Sequence, residues 1–76
     1  MTFVISSYEK DSDRPDSEVD VSEVPAEAFA EILGMGVERL TDVYPLDESH
    51  VHDISRLTGL EFDLSTHEYF LESLAD

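Results

Sequence analysis

The stretch FVISSYEKDSDRPDSEVDVS, residues 3–22, decides the fold because it predicts the first two strands of a sheet. Its opening residues are β-branched or aromatic, which is typical of a strand. Alternation of side chains along that strand puts Phe3 and Ile5 on one face, with Val4 and Tyr8 on the other. We therefore expect one face of the first strand to meet a hydrophobic core.

The second part of this stretch contains another strand and a polar connection. Apolar and polar residues alternate strictly over residues 18–22, which predicts a half-buried strand with Val19 and Val21 facing inward. Residues 9–17 contain no large apolar side chain, so they predict a hairpin connection longer than the roughly two to five residues that are usual. The pattern indicates an antiparallel hairpin with a long acidic connection.

Two helices follow the hairpin. The first has Pro25 in its first turn and a stripe of apolar residues at helical spacing, and it ends at Gly34. The second has Asp47 as N-cap and ends at Gly59. Between them, residues 37–44 predict a short helical turn.

The last segment, residues 66–75, fits two structures. Residues 65–68 could form a capping box that opens a helix, whereas the aromatic residues over 69–74 are equally typical of a strand. We favour the strand, because a hairpin alone is marginally stable without a third strand or a covering helix. The sequence thus predicts one α+β domain over residues 1–76. Its small antiparallel sheet combines the N-terminal hairpin with a C-terminal strand, and two or three helices cover one face.

The periodic apolar positions also predict the hydrophobic core. The expected core residues are Phe3, Ile5, Val21, Phe29, Ile32, Leu33, Val51, Ile54, Leu57, Phe62 and Phe70.

The charge is extreme for so short a chain. Nineteen Asp and Glu oppose four Lys and Arg, for a net charge of −15. Such a charge repels nucleic acids and anionic membranes and favours encounter with basic partners. The chain has no cysteine, no apolar run of bilayer length and no secretion signal at its start, so we expect a soluble cytoplasmic protein.

Catalytic and cofactor-binding signatures are missing from the sequence. No glycine-rich phosphate loop, cysteine nucleophile or nucleophile-elbow serine is present. His50 and His52 are two positions apart and point in different directions on a helix, so they cannot share a metal. The spacing of Asp11 and Asp13 lacks the glycine and final glutamate of a calcium loop. We expect no enzyme activity, no cofactor and no bound metal.

The order of segments resembles that of small acidic immunity proteins encoded beside polymorphic and contact-dependent toxins of bacteria. The resemblance runs through the opening strand, "EILGMG", "DVYPLDESHVHDISRLTG", "EFDL" and the terminal "HEYFLESL". It implies a protein that neutralises a cognate toxin by occluding it. Because many such toxins are nucleases with basic clefts that hold phosphates, a carboxylate-rich inhibitor would be complementary to them.

Two acidic patches are candidate partner-binding sites, and we favour the first of them because it combines an aromatic anchor with carboxylates on a rigid helix start. One surrounds Tyr44 as an aromatic anchor and consists of Asp42, Tyr44, Asp47 and Glu48. The other lies on the hairpin and consists of Asp11, Asp13, Asp16, Glu18 and Asp20. The alternative functions are a phage-type nucleic-acid mimic that inhibits a restriction or CRISPR enzyme, and an ordinary small domain of a halophile.

Overall fold

The computed structural model describes residues 2–74 and shows an α+β fold with a four-stranded antiparallel sheet and two helices. The elements, in chain order, are β1 Thr2–Glu9, β2 Pro15–Asp20, α1 Ala26–Leu33, a 3-10 turn Val37–Arg39, β3 Val43–Leu46, α2 Glu48–Thr58 and β4 His67–Leu74. The strands lie side by side in the order β2-β1-β4-β3, so the first and last strands of the chain form the centre of the sheet.

Both helices cover the same face of the sheet. On β1 this face carries Phe3 and Ile5, and Ile5 lies directly opposite Leu71 of β4. The ring of Phe29 from α1 lies 5.3 Å from the ring of Phe3, centroid to centroid. Ile54 of α2 is fully buried in the same cluster. The hydrophobic core therefore lies between the sheet and the helix layer, as the alternation along β1 predicts.

The hairpin is confirmed, but its connection is shorter than expected. β1 continues to Glu9 and β2 begins at Pro15, which leaves only residues 10–14 between them. Asp11 takes a left-handed backbone conformation with φ of 69°, and the Ser12 amide donates to the Glu9 carbonyl at 3.0 Å. Residues 15–17 were predicted as part of the connection because they lack large apolar side chains. They belong to β2, since a solvent-exposed edge strand does not require apolar side chains.

The ends of both helices match the local sequence signals. Pro25 is the N-cap residue of α1, and Gly34 ends that helix in the left-handed conformation. Asp47 caps α2 by accepting a hydrogen bond from the backbone amide of His50 at 3.0 Å. Gly59, with φ of 78°, ends α2. These signals act over a few residues, so the sequence alone locates them.

A fourth strand replaces part of the predicted helical turn. The 3-10 turn ends at Arg39, and Val43–Leu46 pairs antiparallel with β4 at the edge of the sheet. Pro45 is compatible with this position, because an edge strand can leave one side of its backbone without a hydrogen-bonding partner. The C-terminal strand that we favoured is confirmed as His67–Leu74, while residue 75 of the predicted segment lies outside the described residues.

The predicted core is correct in its centre and wrong at its margin. Leu57 is 56% exposed, because it lines an open groove between α1 and α2. Phe70 is half-buried on the face opposite the helices. Ile32, Leu33 and Phe62 are only partly buried against the core. The second strand was predicted over residues 18–22, but β2 ends at Asp20, so Val21 is buried just beyond the strand, and Val19 within it is 38% exposed. The buried apolar residues that the prediction omitted are Val4, Val24, Ala30, Leu40, Leu46 and Leu71.

Candidate functional site

The sheet face that carries no helix is a continuous surface, which we call the open face. The strand pairing arranges its side chains in rows that cross the sheet. One row runs Asp20, Val4, Glu72, Val43, and the next runs Glu18, Ser6, Phe70, Pro45. The third row contains Pro15, Tyr8 and Glu68, and Thr2 and Leu74 lie at the other end of the face.

Four carboxylates of the open face surround its apolar centre, and we call Glu18, Asp20, Glu68 and Glu72 the open-face acids. None of the open-face strand residues is Lys, Arg or His. The four basic residues of the chain lie in the hairpin loop, the 3-10 turn and α2, at Lys10, Arg14, Arg39 and Arg56. The open face thus presents negative charge without cations from its own strands.

An aromatic pair forms the apolar centre of the open face. The rings of Tyr8 and Phe70 meet edge to face, with centroids 5.5 Å apart and an interplanar angle of 87°. Both side chains are half-buried, so part of each ring remains accessible. A shallow cavity of about 270 Å³ lies beside them and is also lined by Ser12, Val43 and Glu68.

The three tyrosines of the chain differ in how their hydroxyls are used. Tyr44 donates its hydroxyl proton to the backbone carbonyl of Arg39. The hydroxyl of Tyr69 accepts from the Asp63 amide at 2.8 Å. The Tyr8 hydroxyl makes no hydrogen bond within residues 2–74. A partner can therefore use the polar end of Tyr8 without breaking an internal hydrogen bond.

Glu72 lies near the middle of the open face and is held in place there. It pairs with Val4 on one side and with Val43 on the other. Its carboxylate accepts a hydrogen bond from the hydroxyl of Ser6, a residue that is 1% exposed. A carboxylate oriented by a buried donor loses less conformational entropy on binding than a freely rotating one. This residue can meet a basic group with little reorganisation.

The five acidic residues that the sequence analysis grouped on the hairpin lie in three different places in the structure. Glu18 and Asp20 belong to the open face. Two hydrogen bonds from Ser22, first from its backbone amide and then from its side chain, hold the pKa of Asp20 below its usual value. Asp16 points to a different place, because its carboxylate lies 3.1 Å from Nε2 of His67. Asp11 and Asp13 lie in the hairpin loop and are exposed.

The Tyr44 patch does not form the rigid helix start that the sequence indicated. Tyr44 lies in β3, its side chain packs against the core from the helix side, and its hydroxyl is used internally. Asp47 is occupied as the cap of α2, and hydrogen bonds from the His50 amide and from Ser49 lower its pKa. Asp42 accepts from the Val43 amide at 2.8 Å, and Glu48 is exposed in the first turn of α2.

Sequence reasoning missed Tyr8, Val43, Glu68, Phe70 and Glu72 as possible contact residues. The signal lies in the period-two pattern of "HEYFLESL", in which glutamates and Phe70 share a face once the segment is a strand. The pairing partner of that strand is fixed only by the fold, so its position beside Tyr8 could not be read from the sequence.

Comparison with known families matches residues 2–72 to the domain of unknown function DUF7683. The chain belongs to this family. No curated protein and no solved structure matches the chain. The matched region of the DUF7683 domain includes all four open-face acids and both rings of the aromatic pair. Across the described part of the chain, no helix is both long and apolar enough to cross a bilayer.

Proposed function

We propose that this DUF7683 domain is an immunity protein that binds a cognate toxin through the open face and blocks it. The observation that carries the proposal is the composition of that face. An accessible aromatic pair is bordered by four carboxylates, and the strands of the face contribute no Lys, Arg or His to it. The partner of such a face is a strongly basic protein surface. The active cleft of a nuclease has this character because it holds phosphates.

The arrangement matches that of known protein interfaces, in which different residues determine the affinity and the association rate. Buried aromatic side chains near the centre of an interface supply much of the binding free energy, and charges at the rim act mainly on the association rate. Tyr8 and Phe70 lie on the two central strands of the open face, and the edge strand β2 carries Glu18 and Asp20. The net charge of −15 would add long-range attraction, which raises association rates by roughly 10- to 1,000-fold at low salt.

A groove between the two helices is less suited to a basic partner. It has a volume of about 530 Å³ and is lined by Ile32 and Leu57 together with Glu31, Asp53 and Arg56. Its single arginine opposes the two carboxylates, so its local charge is nearly balanced. The open face carries four carboxylates and no cation on its strands, and Lys10 of the hairpin loop lies beside Glu68 and Phe70 at one end of it. Its charge is therefore more negative than that of the groove, which is why we assign the partner to it.

An immunity protein of this kind would act in the cytoplasm, where it meets the toxin before the toxin reaches its target. The absence of cysteine agrees with a reducing compartment. A phage-type inhibitor of a restriction or CRISPR enzyme would use the same electrostatics. The two functions differ in the partner, so the neighbouring genes and an inhibition assay distinguish them.

The test uses the protein encoded immediately next to this gene. If that protein contains a nuclease domain, an equimolar amount of the DUF7683 domain should abolish its cleavage of DNA or RNA. A double variant, Tyr8→Ala with Phe70→Ala, should lose this inhibition while a melt shows that it remains folded. The competing variant, Tyr44→Ala with Asp47→Asn, tests the other patch. Inhibition that survives the first variant and disappears with the second would refute the open-face assignment.

A further inference from the structure

Three side chains that are able to bind a metal ion lie together at the end of the sheet near the hairpin loop. Glu9, Asp16 and His67 each offer one ligand atom there, and these atoms lie within 4.8 Å of one another. We propose that this cluster binds a divalent first-row transition metal, with Zn²⁺ as the reference ion. No part of the proposed toxin binding is needed for this site.

The fold brings together three residues that are far apart in the sequence. Glu9 ends β1 and lies directly opposite His67, the first residue of β4. The pairing of β1 with β2 shifts register between Ser7 and Tyr8, which is a β-bulge. An extra residue at a bulge redirects a side chain, and here the carboxylate of Asp16 reaches Nε2 of His67 at 3.1 Å.

The imidazole of His67 is oriented as a metal ligand requires. Its Nδ1 lies 2.8 Å from the hydroxyl of Thr66, and the ring stacks on Tyr69 with centroids 6.2 Å apart. When Nδ1 carries the proton and donates it to the Thr66 oxygen, the lone pair of Nε2 points at the carboxylates. Histidine ligands in proteins are usually fixed through their second nitrogen in this way.

The donor set selects the class of metal. One imidazole nitrogen with two carboxylate oxygens suits Zn²⁺ and its first-row neighbours, while Ca²⁺ and Mg²⁺ prefer oxygen donors alone. Among residues 2–74, no Lys or Arg forms an ion pair with Glu9 or Asp16. A divalent cation would relieve the repulsion between these two carboxylates in a chain of net charge −15. Three protein ligands leave the remaining coordination positions to water.

The other two histidines provide the contrast. Nδ1 of His50 accepts a hydrogen bond from the Asp47 amide at 3.2 Å and so belongs to the cap of α2. His52 is exposed on α2 and lies in no such cluster within the described ranges. The cluster therefore depends on His67 alone for its nitrogen ligand. The sequence prediction of no metal considered the spacing of His50 and His52, which does not bear on this site.

The test is a calorimetric titration of the chain with Zn²⁺, with Ca²⁺ as a separate titrant. We expect one equivalent of Zn²⁺ to bind, and Ca²⁺ to bind at least tenfold more weakly. Asp16→Asn and His67→Ala should each weaken Zn²⁺ binding by about tenfold or more, because loss of a residue that only supports a ligand already costs about tenfold and these two would bind the metal directly. His52→Ala, the matched control, should change the affinity by less than about twofold.

A second measurement separates ligation from general attraction of cations. Because the three ligands come from β1, β2 and β4, bound Zn²⁺ should slow hydrogen exchange of the β2 amides in the parent and have no such effect in Asp16→Asn. The proposal is overturned if His52→Ala weakens binding as much as His67→Ala does, or if Asp16→Asn binds Zn²⁺ as tightly as the parent. It is equally overturned if no stoichiometric Zn²⁺ binding is observed.

Discussion

Replacing Phe29 by alanine should remove a large part of the stability of this small domain. Phe29 is fully buried at the centre of the helix–sheet core, and its ring contacts that of Phe3 at a centroid distance of 5.3 Å. Truncating a buried phenylalanine to alanine costs about 3–5 kcal/mol, because apolar burial is lost and a cavity remains. At roughly 0.05–0.15 kcal/mol per residue, a chain of 76 residues has a stability of about 4–11 kcal/mol.

Urea unfolding followed by circular dichroism measures the effect. With a slope near 1 kcal/mol per molar urea for a domain of this size, Phe29→Ala should lower the midpoint by about 3–5 M. Phe70→Ala is the comparison, since it removes the same atoms from a half-buried position on the open face. We expect it to cost only about 1–2 kcal/mol, because water already reaches part of that ring.

Two results would refute this reasoning. One is a cooperative transition of Phe29→Ala near the midpoint of the parent protein, which would mean that α1 does not direct Phe29 into the core. The other is a loss for Phe70→Ala as large as that for Phe29→Ala. In that case Phe70 would belong to the core, as the sequence predicted, and the open face would lack its aromatic centre.

Three further predictions concern the helix layer and the response to pH and salt. Ile54→Val should lower the free energy of unfolding, measured in urea, by about 0.5–1.5 kcal/mol. Leu57 is only one turn away but 56% exposed, so Leu57→Ala should change that free energy by less than about 0.5 kcal/mol. Equal losses for the two variants would contradict the orientation of α2. The lowered pKa of Asp47 contributes stability that is fully present above the usual Asp value near 4 and is lost as the pH falls through the lower folded value. The midpoint difference between the parent and Asp47→Asn should accordingly be constant above about pH 5 and shrink below about pH 4, and a pH-independent difference would refute the assignment. The circular dichroism spectrum in 50 mM salt should equal that in 2 M salt, because the buried apolar core maintains the fold without salt to screen the repulsion between the carboxylates. Loss of structure at low salt would instead favour the alternative of a halophile domain.

The parts of the fold that could be predicted are those set by neighbouring residues. Asp47 and Gly59 specify the ends of α2 through one cap and one left-handed residue, so their positions follow from the sequence. The final strand could also be predicted, because a hairpin needs a partner to be stable. β3 could not, since a four-residue edge strand containing Pro45 acquires its hydrogen bonds from β4, over 20 residues later.

The candidate site was harder to predict for the same reason. Tyr44 has acidic neighbours in the sequence, but its hydroxyl and ring are used inside the protein. Tyr8 has its aromatic partner in Phe70, at the other end of the chain. The cluster around His67 likewise depends on strand pairing and on a bulge. Contacts of this kind follow from which strands become neighbours, and local pattern does not contain that information.

The central claim is that the open face binds a basic protein partner, and one comparison of association rates tests it most directly. In the first variant the open-face acids are changed to their amides. In the second, four exposed acids of the helix layer are changed in the same way, namely Glu27, Glu31, Glu48 and Asp53. Each set removes four negative charges, so both variants have a net charge of −11 instead of −15.

Stopped-flow mixing with the neighbouring toxin domain, at several salt concentrations, gives the association rates. If the open face is the interface, the first variant should associate about tenfold or more slowly at low salt, with a flatter salt dependence, whereas the second should stay within about threefold of the parent. Equal slowing of both variants would show that only the total charge matters, and a larger effect of the helix-layer variant would place the interface on the opposite side of the molecule.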